Sequence, residues 1–110
     1  MDQGMEKVDL AELQRAAAAA SSLLKVLANQ DRLLLLCQMT QGEYCVSELE
    51  ELTGVRQPTL SQQLTVLRDE AMVSTRREGK QIYYQIASTE AMAVMQVLYE
   101  QFCRPRKEAK

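Results

Sequence analysis

Apolar residues recur along this chain with helical spacing over most of its length and switch to strand spacing only once. The series Leu10, Leu13, Ala17, Ala20, Leu24 and Leu27 advances by threes and fours, the narrow stripe of a heptad seam. Asp9 in front of it, with Glu12 three residues on, supplies an N-cap and a capping-box partner. The stripe fits an ordinary amphipathic core helix or a helix that also pairs across a dimer, and its spacing does not separate the two. Asn29 caps a second helix with the body Arg32-Leu33-Leu34-Leu35-Leu36-Cys37-Gln38-Met39. Four consecutive leucines leave it no polar face, so it is expected to be buried from several sides. Gln41-Gly42 ends it.

A short helix follows from Val46, stopped by Gly54, because glycine takes the left-handed conformation at little cost. The next helix has Pro58 in its first turn, where a missing N–H costs nothing. Leu60, Leu64 and Leu67 share one face of it. Thr59, Ser61, Gln62 and Thr65 occupy the opposite face. Short hydroxyl and amide side chains on such a face reach base edges and phosphates when a helix lies in the major groove.

Strand spacing appears after residue 71. The run from Met72 to Arg77, a tight Glu78-Gly79 turn, and the run from Lys80 to Ile86 predict a hairpin. Ile82, Tyr84 and Ile86 alternate with Gln81, Tyr83 and Gln85, as in a half-buried strand. Arg77 and Lys80 flank the tip, where a cation positions a protein on DNA without specifying sequence. Ser88 or Thr89 caps a last helix in which Ala91, Met95, Leu98 and Phe102 form a second seam. That seam is expected to pair with the first helix in a symmetric dimer. The fold class is therefore mainly α with a small β-hairpin, in the order α-α-α-α-β-β-α: a winged helix-turn-helix, homodimeric through its first and last helices.

The chain has 110 residues, 46% of them hydrophobic, enough for one domain over residues 1–110 and too few for two. Residues 1–8 and about 105–110 are expected to be flexible tails. The formal charge of −2 weakens a nucleic-acid reading until its distribution is considered. Residues 43–55 carry four acids and no base, whereas residues 56–84 carry five bases against three acids. The candidate recognition helix and wing are thus net basic, and affinity follows the local field. No secretory leader or membrane span is legible, so a cytoplasmic protein is expected. Its three cysteines are then thiols rather than a disulfide framework.

The segment Pro58-Thr59-Leu60-Ser61-Gln62-Gln63-Leu64, continued by Leu67-Arg68-Asp69-Glu70, resembles the ArsR family of dimeric winged-helix repressors. The likeness runs roughly from Ser22 to Cys103. It is sharpened by Leu27-Ala28-Asn29, Arg32-Leu33, Cys37, Arg76-Arg77, Gln81-Ile82-Tyr83-Tyr84, Leu98-Tyr99 and Phe102-Cys103. These residues are similar to the BigR and SqrR branch, whose members sense reactive sulfur species through two cysteines, with HlyU-type and YgaV-type regulators as near relatives. The resemblance implies sensor cysteines at Cys37 and Cys103. It implies DNA contacts at Gln57, Thr59, Ser61, Gln62 and Gln63 and wing contacts at Arg77 and Lys80. Its partners would be a double-stranded operator with an inverted repeat, a second copy of the chain, and a reactive sulfur species or oxidant as effector. Arg56 departs from the pattern, where a small residue or a serine cap is usual.

Read on its own, Cys37 after four leucines fits a buried cysteine acting as a small hydrophobe. Cys103 lies beside Arg104 and Arg106, which favour a thiolate, near a helix C-terminus, which disfavours it. By the resemblance, a sulfur link between the two would tie the last helix to the second. The recognition helices would then no longer fit half-sites one turn apart. Cys45 overlays an arsenic-binding motif of other family members, but the motif's second cysteine is Ser47 here. A thiol-coordinated arsenic or soft-metal repressor is one alternative. A winged-helix interaction module without DNA binding, using the acidic stretch 43–51, is another. No cofactor and no histidine-based metal site are expected, since the chain has no histidine. For the same reason its Ser and Cys residues lack their commonest general base, and an enzyme is not expected.

Overall fold

In the computed structural model, which describes residues 9–103, helix α1 (Leu10–Leu27) leads into α2 (Gln30–Met39). Strand β1 (Tyr44–Cys45) precedes α3 (Val46–Thr53) and α4 (Thr59–Asp69). Strands β2 (Val73–Glu78) and β3 (Gln81–Ile86) form the wing, followed by α5 (Thr89–Leu98) and a π-helical turn (Tyr99–Cys103). The expected tails at 1–8 and 105–110 lie outside the described residues.

Local chemistry accounts for the helix ends. The Asp9 carboxylate accepts the Glu12 N–H at 2.8 Å, Asn29 Oδ1 accepts the Arg32 N–H at 3.0 Å, and Ser88 Oγ accepts the Ala91 N–H at 3.0 Å. Each such cap contributes about 1 kcal/mol. Gly54 ends α3 at φ 79°, and its N–H bonds the Glu50 carbonyl at 3.0 Å, the left-handed cap that a Cβ would strain.

The core gathers Leu27, Leu35, Leu36, Met39, Leu49, Val55, Leu60, Leu64, Leu67, Val73 and Met95. It seats α4 by its leucine face and leaves Ser61, Gln62 and Thr65 outside. The winged helix-turn-helix is thus present, with four departures from expectation. First, β1 pairs antiparallel with β3, Tyr44 opposite Tyr84, so the sheet has three strands in the order β1-β3-β2. Second, the hairpin turns through Gly79 and Lys80, with Glu78 opposite Gln81. Gly79 takes φ 64° there. Near that tip Ile82 is exposed, because the hairpin has left the core behind. Third, the expected burial of α2 from several sides holds for Leu35, Leu36 and Met39 but stops at Leu34, which is exposed and lines a cavity described below.

The fourth departure concerns the two seams. Leu10, Leu13 and Leu24 are 67%, 55% and 56% exposed, and only Leu27 of that stripe enters the core. In α5 the situation is reversed. Ala91 and Met95 are fully buried in their own chain, so they are not available to pair with another helix. Phe102, expected on their face, is 81% exposed. The π turn at Tyr99–Cys103 changes the helical register and carries Phe102 off the stripe.

Candidate nucleic-acid interface and thiol pair

The candidate interface centres on α4 (Thr59–Asp69). Pro58 stands at its N-cap, one position before the expected first turn, and has no side chain able to cap. Gln57 fills that role: its Oε1 accepts the Ser61 N–H at 3.0 Å. Gln57 thus caps the first turn of α4 through its amide oxygen, and its side chain remains exposed. Ser61 and Gln62 are exposed, and Thr59 and Gln63 are half-buried. The exposed Thr65 donates its hydroxyl back to the Ser61 carbonyl at 2.9 Å.

Gln63 is held from behind by Arg32 of α2. The guanidinium NH1 donates to Gln63 Oε1 at 2.7 Å, and its Nε donates to the Val26 carbonyl of α1 at 2.6 Å. Sequence reading missed this contact because nothing at a separation of 31 residues signals a side-chain pair. Arg56, the departure from the family pattern, lies 3.6 Å from Glu50 at a largely exposed site.

In the wing, Arg77 and Lys80 are exposed and make no ion pair among the described residues. Arg76 differs. Its guanidinium grips Glu43 at 2.8 Å, bonds Glu78, and lies 4.9 Å from the centre of the Tyr83 ring. Hydrogen bonding from Arg76 holds the Glu43 carboxyl below the usual carboxylate range, and Glu43 in turn raises the Arg76 pKa. This cluster joins the α2–β1 loop to the middle of the wing, another long-range contact without a sequence signature.

The thiols lie on the other side of α2. Cys37 and Cys103 line one cavity of about 290 Å³, together with Leu34, Gln38, Leu52, Met95 and Tyr99. Both are unbridged. Cys37 is half-buried, with its Sγ 3.7 Å from Met95 Sδ, whereas Cys103 is exposed in the π turn. Burial, and then the proximity of Cys103, push the Cys37 thiol pKa up. Cys45 is buried, caps α3 from β1, and does not line that cavity. Its N–H donates to the Glu48 carboxylate at 2.9 Å, and its Sγ lies 3.4 Å from Ser47 Oγ. Among the described residues, no three His, Cys, Asp or Glu side chains cluster as a metal site. No helix among them is long and apolar enough to cross a membrane.

Comparisons with known proteins converge on one family. Residues 29–75 match the model of bacterial regulatory proteins of the arsR family. The biofilm growth-associated repressor of Agrobacterium fabrum is 46% identical over 101 residues, 92% of this chain and 86% of that protein. The crystal structure of the transcriptional repressor BigR from Xylella fastidiosa superposes with a TM-score of 0.79 at 42% identity, covering 86% of this chain and 94% of that one. Reduced HlyU from Vibrio cholerae superposes with a TM-score of 0.81 at 37% identity, covering 86% of this chain and all of that one. These relatives are transcriptional regulators and not enzymes. With its helix-turn-helix, its wing and this likeness along most of its length, the chain belongs to the arsR family of DNA-binding transcriptional regulators.

Proposed function

We propose that this DNA-binding regulator is a dimeric repressor, released from an inverted-repeat operator when sulfur joins Cys37 to Cys103. The observation that carries the reading is the shared cavity: two unbridged thiols, one on α2 and one on the turn after α5, open onto the same space. Its DNA partner puts its work in the cytoplasm. The exposed stripe Leu10, Leu13 and Leu24 supports α1 as the dimer helix.

Cys103 is exposed, whereas burial pushes the Cys37 thiol pKa up, which favours Cys103 as the first nucleophile, since the thiolate is the reactive form. With an organic trisulfide as donor, the Cys103 thiolate attacks the central sulfur and one alkylthiolate leaves. The Cys37 thiolate then attacks that same central sulfur, and the second alkylthiolate leaves. Two thiols and one trisulfide become a Cys37–Cys103 trisulfide and two alkyl thiols. The protein is oxidised by two electrons, and its two thiol protons pass to the leaving groups. A direct disulfide would require Cα atoms within about 7 Å, whereas an added sulfur spans a wider gap. The bridge would fasten α5 to α2 and alter the spacing of the recognition helices. Relatives named as repressors favour repression. The burial of Cys45 outside the cavity favours a two-thiol device over a three-thiolate arsenic site.

The test is intact mass of anaerobically reduced protein before and after an organic trisulfide, with operator binding on the same samples. One added bridging sulfur with loss of DNA binding, abolished in Cys37→Ser and Cys103→Ser, is the expected result. Unmodified cysteines, or modification with DNA binding intact, would refute the mechanism.

A further inference from the structure

We propose that Arg32 is a positioning residue for operator recognition, acting through Gln63 on the recognition helix. Arg32 lies on α2, outside the helix-turn-helix, yet its guanidinium holds two other elements at once: Val26 near the end of α1 at 2.6 Å and Gln63 on α4 at 2.7 Å. Its own backbone N–H is fixed by the Asn29 cap at 3.0 Å. All these bonds are partly buried, where water competes less for the charged donor.

The chemistry of the pair fixes an orientation. Arginine has donors only, and a glutamine amide has one donor end and one acceptor end. The oxygen of Gln63 must therefore face Arg32, because a flipped amide would set N–H against N–H. A glutamine free on a helix surface presents either end to a base edge and accepts more than one base. A glutamine held by a planar fork presents one arrangement. Gln63 adjoins the exposed pair Ser61 and Gln62 and is itself half-buried, so its amide sits at the margin of the DNA-facing surface. Lysine cannot substitute, since one ammonium does not reproduce the two-pronged geometry. The proposal rests on the reading of α4 as the recognition helix of a dimer on an inverted repeat and is independent of the thiol mechanism.

The experiment selects binding sites from a randomised duplex library with full-length wild-type protein, Arg32→Lys, Gln63→Ala and the double variant. Affinities for the wild-type site follow by fluorescence anisotropy, and folding is checked by circular dichroism. Arg32→Lys is expected to bind the wild-type site about a hundred-fold more weakly, about ten-fold for one base contact in each of the two half-sites. Its base preference should relax at one position per half-site and persist elsewhere. Gln63→Ala should relax the same position, and the double variant should be no weaker than Gln63→Ala. Unchanged preferences in Arg32→Lys, weakening spread evenly over all positions, or single losses that simply multiply would overturn the proposal. Should Arg32→Lys fail to fold, Gln63→Ala decides: a selected site identical to wild type overturns it.

Discussion

Replacing Leu24 by alanine tests whether α1 is the dimer helix, and the expected size of the effect follows from its exposure. Leu24 is 56% exposed in the single chain, so little of it contributes to the protomer's own core. Leucine to alanine removes three carbons, about 2.4 kcal/mol of transfer free energy at about 0.8 kcal/mol each. Only the exposed share remains to be buried by a partner, about 1.3 kcal/mol per copy. Two-fold symmetry counts the side chain twice, giving about 2.7 kcal/mol for the dimer. At about 1.4 kcal/mol per decade, the dimer dissociation constant should rise about a hundred-fold. Alanine is the best helix former, so loss of α1 itself would not be the cause. Sedimentation velocity across a dilution series measures the constant directly. A wild-type chain that stays monomeric, or a Leu24→Ala protein with an unchanged constant, would refute the assignment of α1 to the interface.

Other consequences are equally open to measurement. Gln57→Ala removes the side chain that caps α4 and should lower stability by about 1 kcal/mol in urea unfolding; an unchanged midpoint would return Gln57 to a purely DNA-facing role. Under limiting iodoacetamide at neutral pH, peptide mass spectrometry should find Cys103 alkylated before Cys37, with Cys37 gaining reactivity only as pH rises towards its elevated pKa; equal rates would contradict the burial argument. The Glu43 pKa is lowered in the fold, so the Glu43–Arg76 contact contributes above the ordinary carboxylate range and is lost as pH falls through the lowered value. Wing amide shifts followed by NMR should show that acid transition, and Glu43→Gln should abolish it. Leu35→Ala, at a fully buried site, should cost about 3–5 kcal/mol by calorimetry; a much smaller loss would mean that the core collapses around the gap.

The helices were legible because their evidence is local. Asn29, Gly54 and Ser88 are caps that act within four residues, and the spacing of Leu60, Leu64 and Leu67 is set by one helix alone. Strand β1 was not legible: at two residues it has no period, and it exists only because β3 lies beside it. The burial of Ala91 and Met95 in their own core could not be separated from a dimer seam, since both demand the same spacing. Displacement of Phe102 needed the π turn, which no composition announces. At the interface, the sequence distinguished an outward polar face on α4 but not the use of each amide. Gln57 caps Ser61 only four residues on, but glutamine is not among the favoured capping types, so nothing announced it; that Gln63 meets Arg32 across 31 residues is tertiary information. Arg76 and Arg77 are chemically identical neighbours, and only the presence of Glu43 makes one of them a structural tie.

That tie has a thermodynamic consequence for the complex with DNA. A duplex releases condensed counterions as cations arrive at its phosphates, and the logarithm of affinity falls with that of salt by about 0.9 per neutralised phosphate. A guanidinium already matched by Glu43 and Glu78 brings no uncompensated charge to that exchange. On the reading of Arg77 and Lys80 as the wing's phosphate contacts, each wing should displace about two counterions rather than the three its basic side chains suggest. The acidic partners of Arg76 thereby moderate how steeply operator occupancy responds to the ionic strength of the cell.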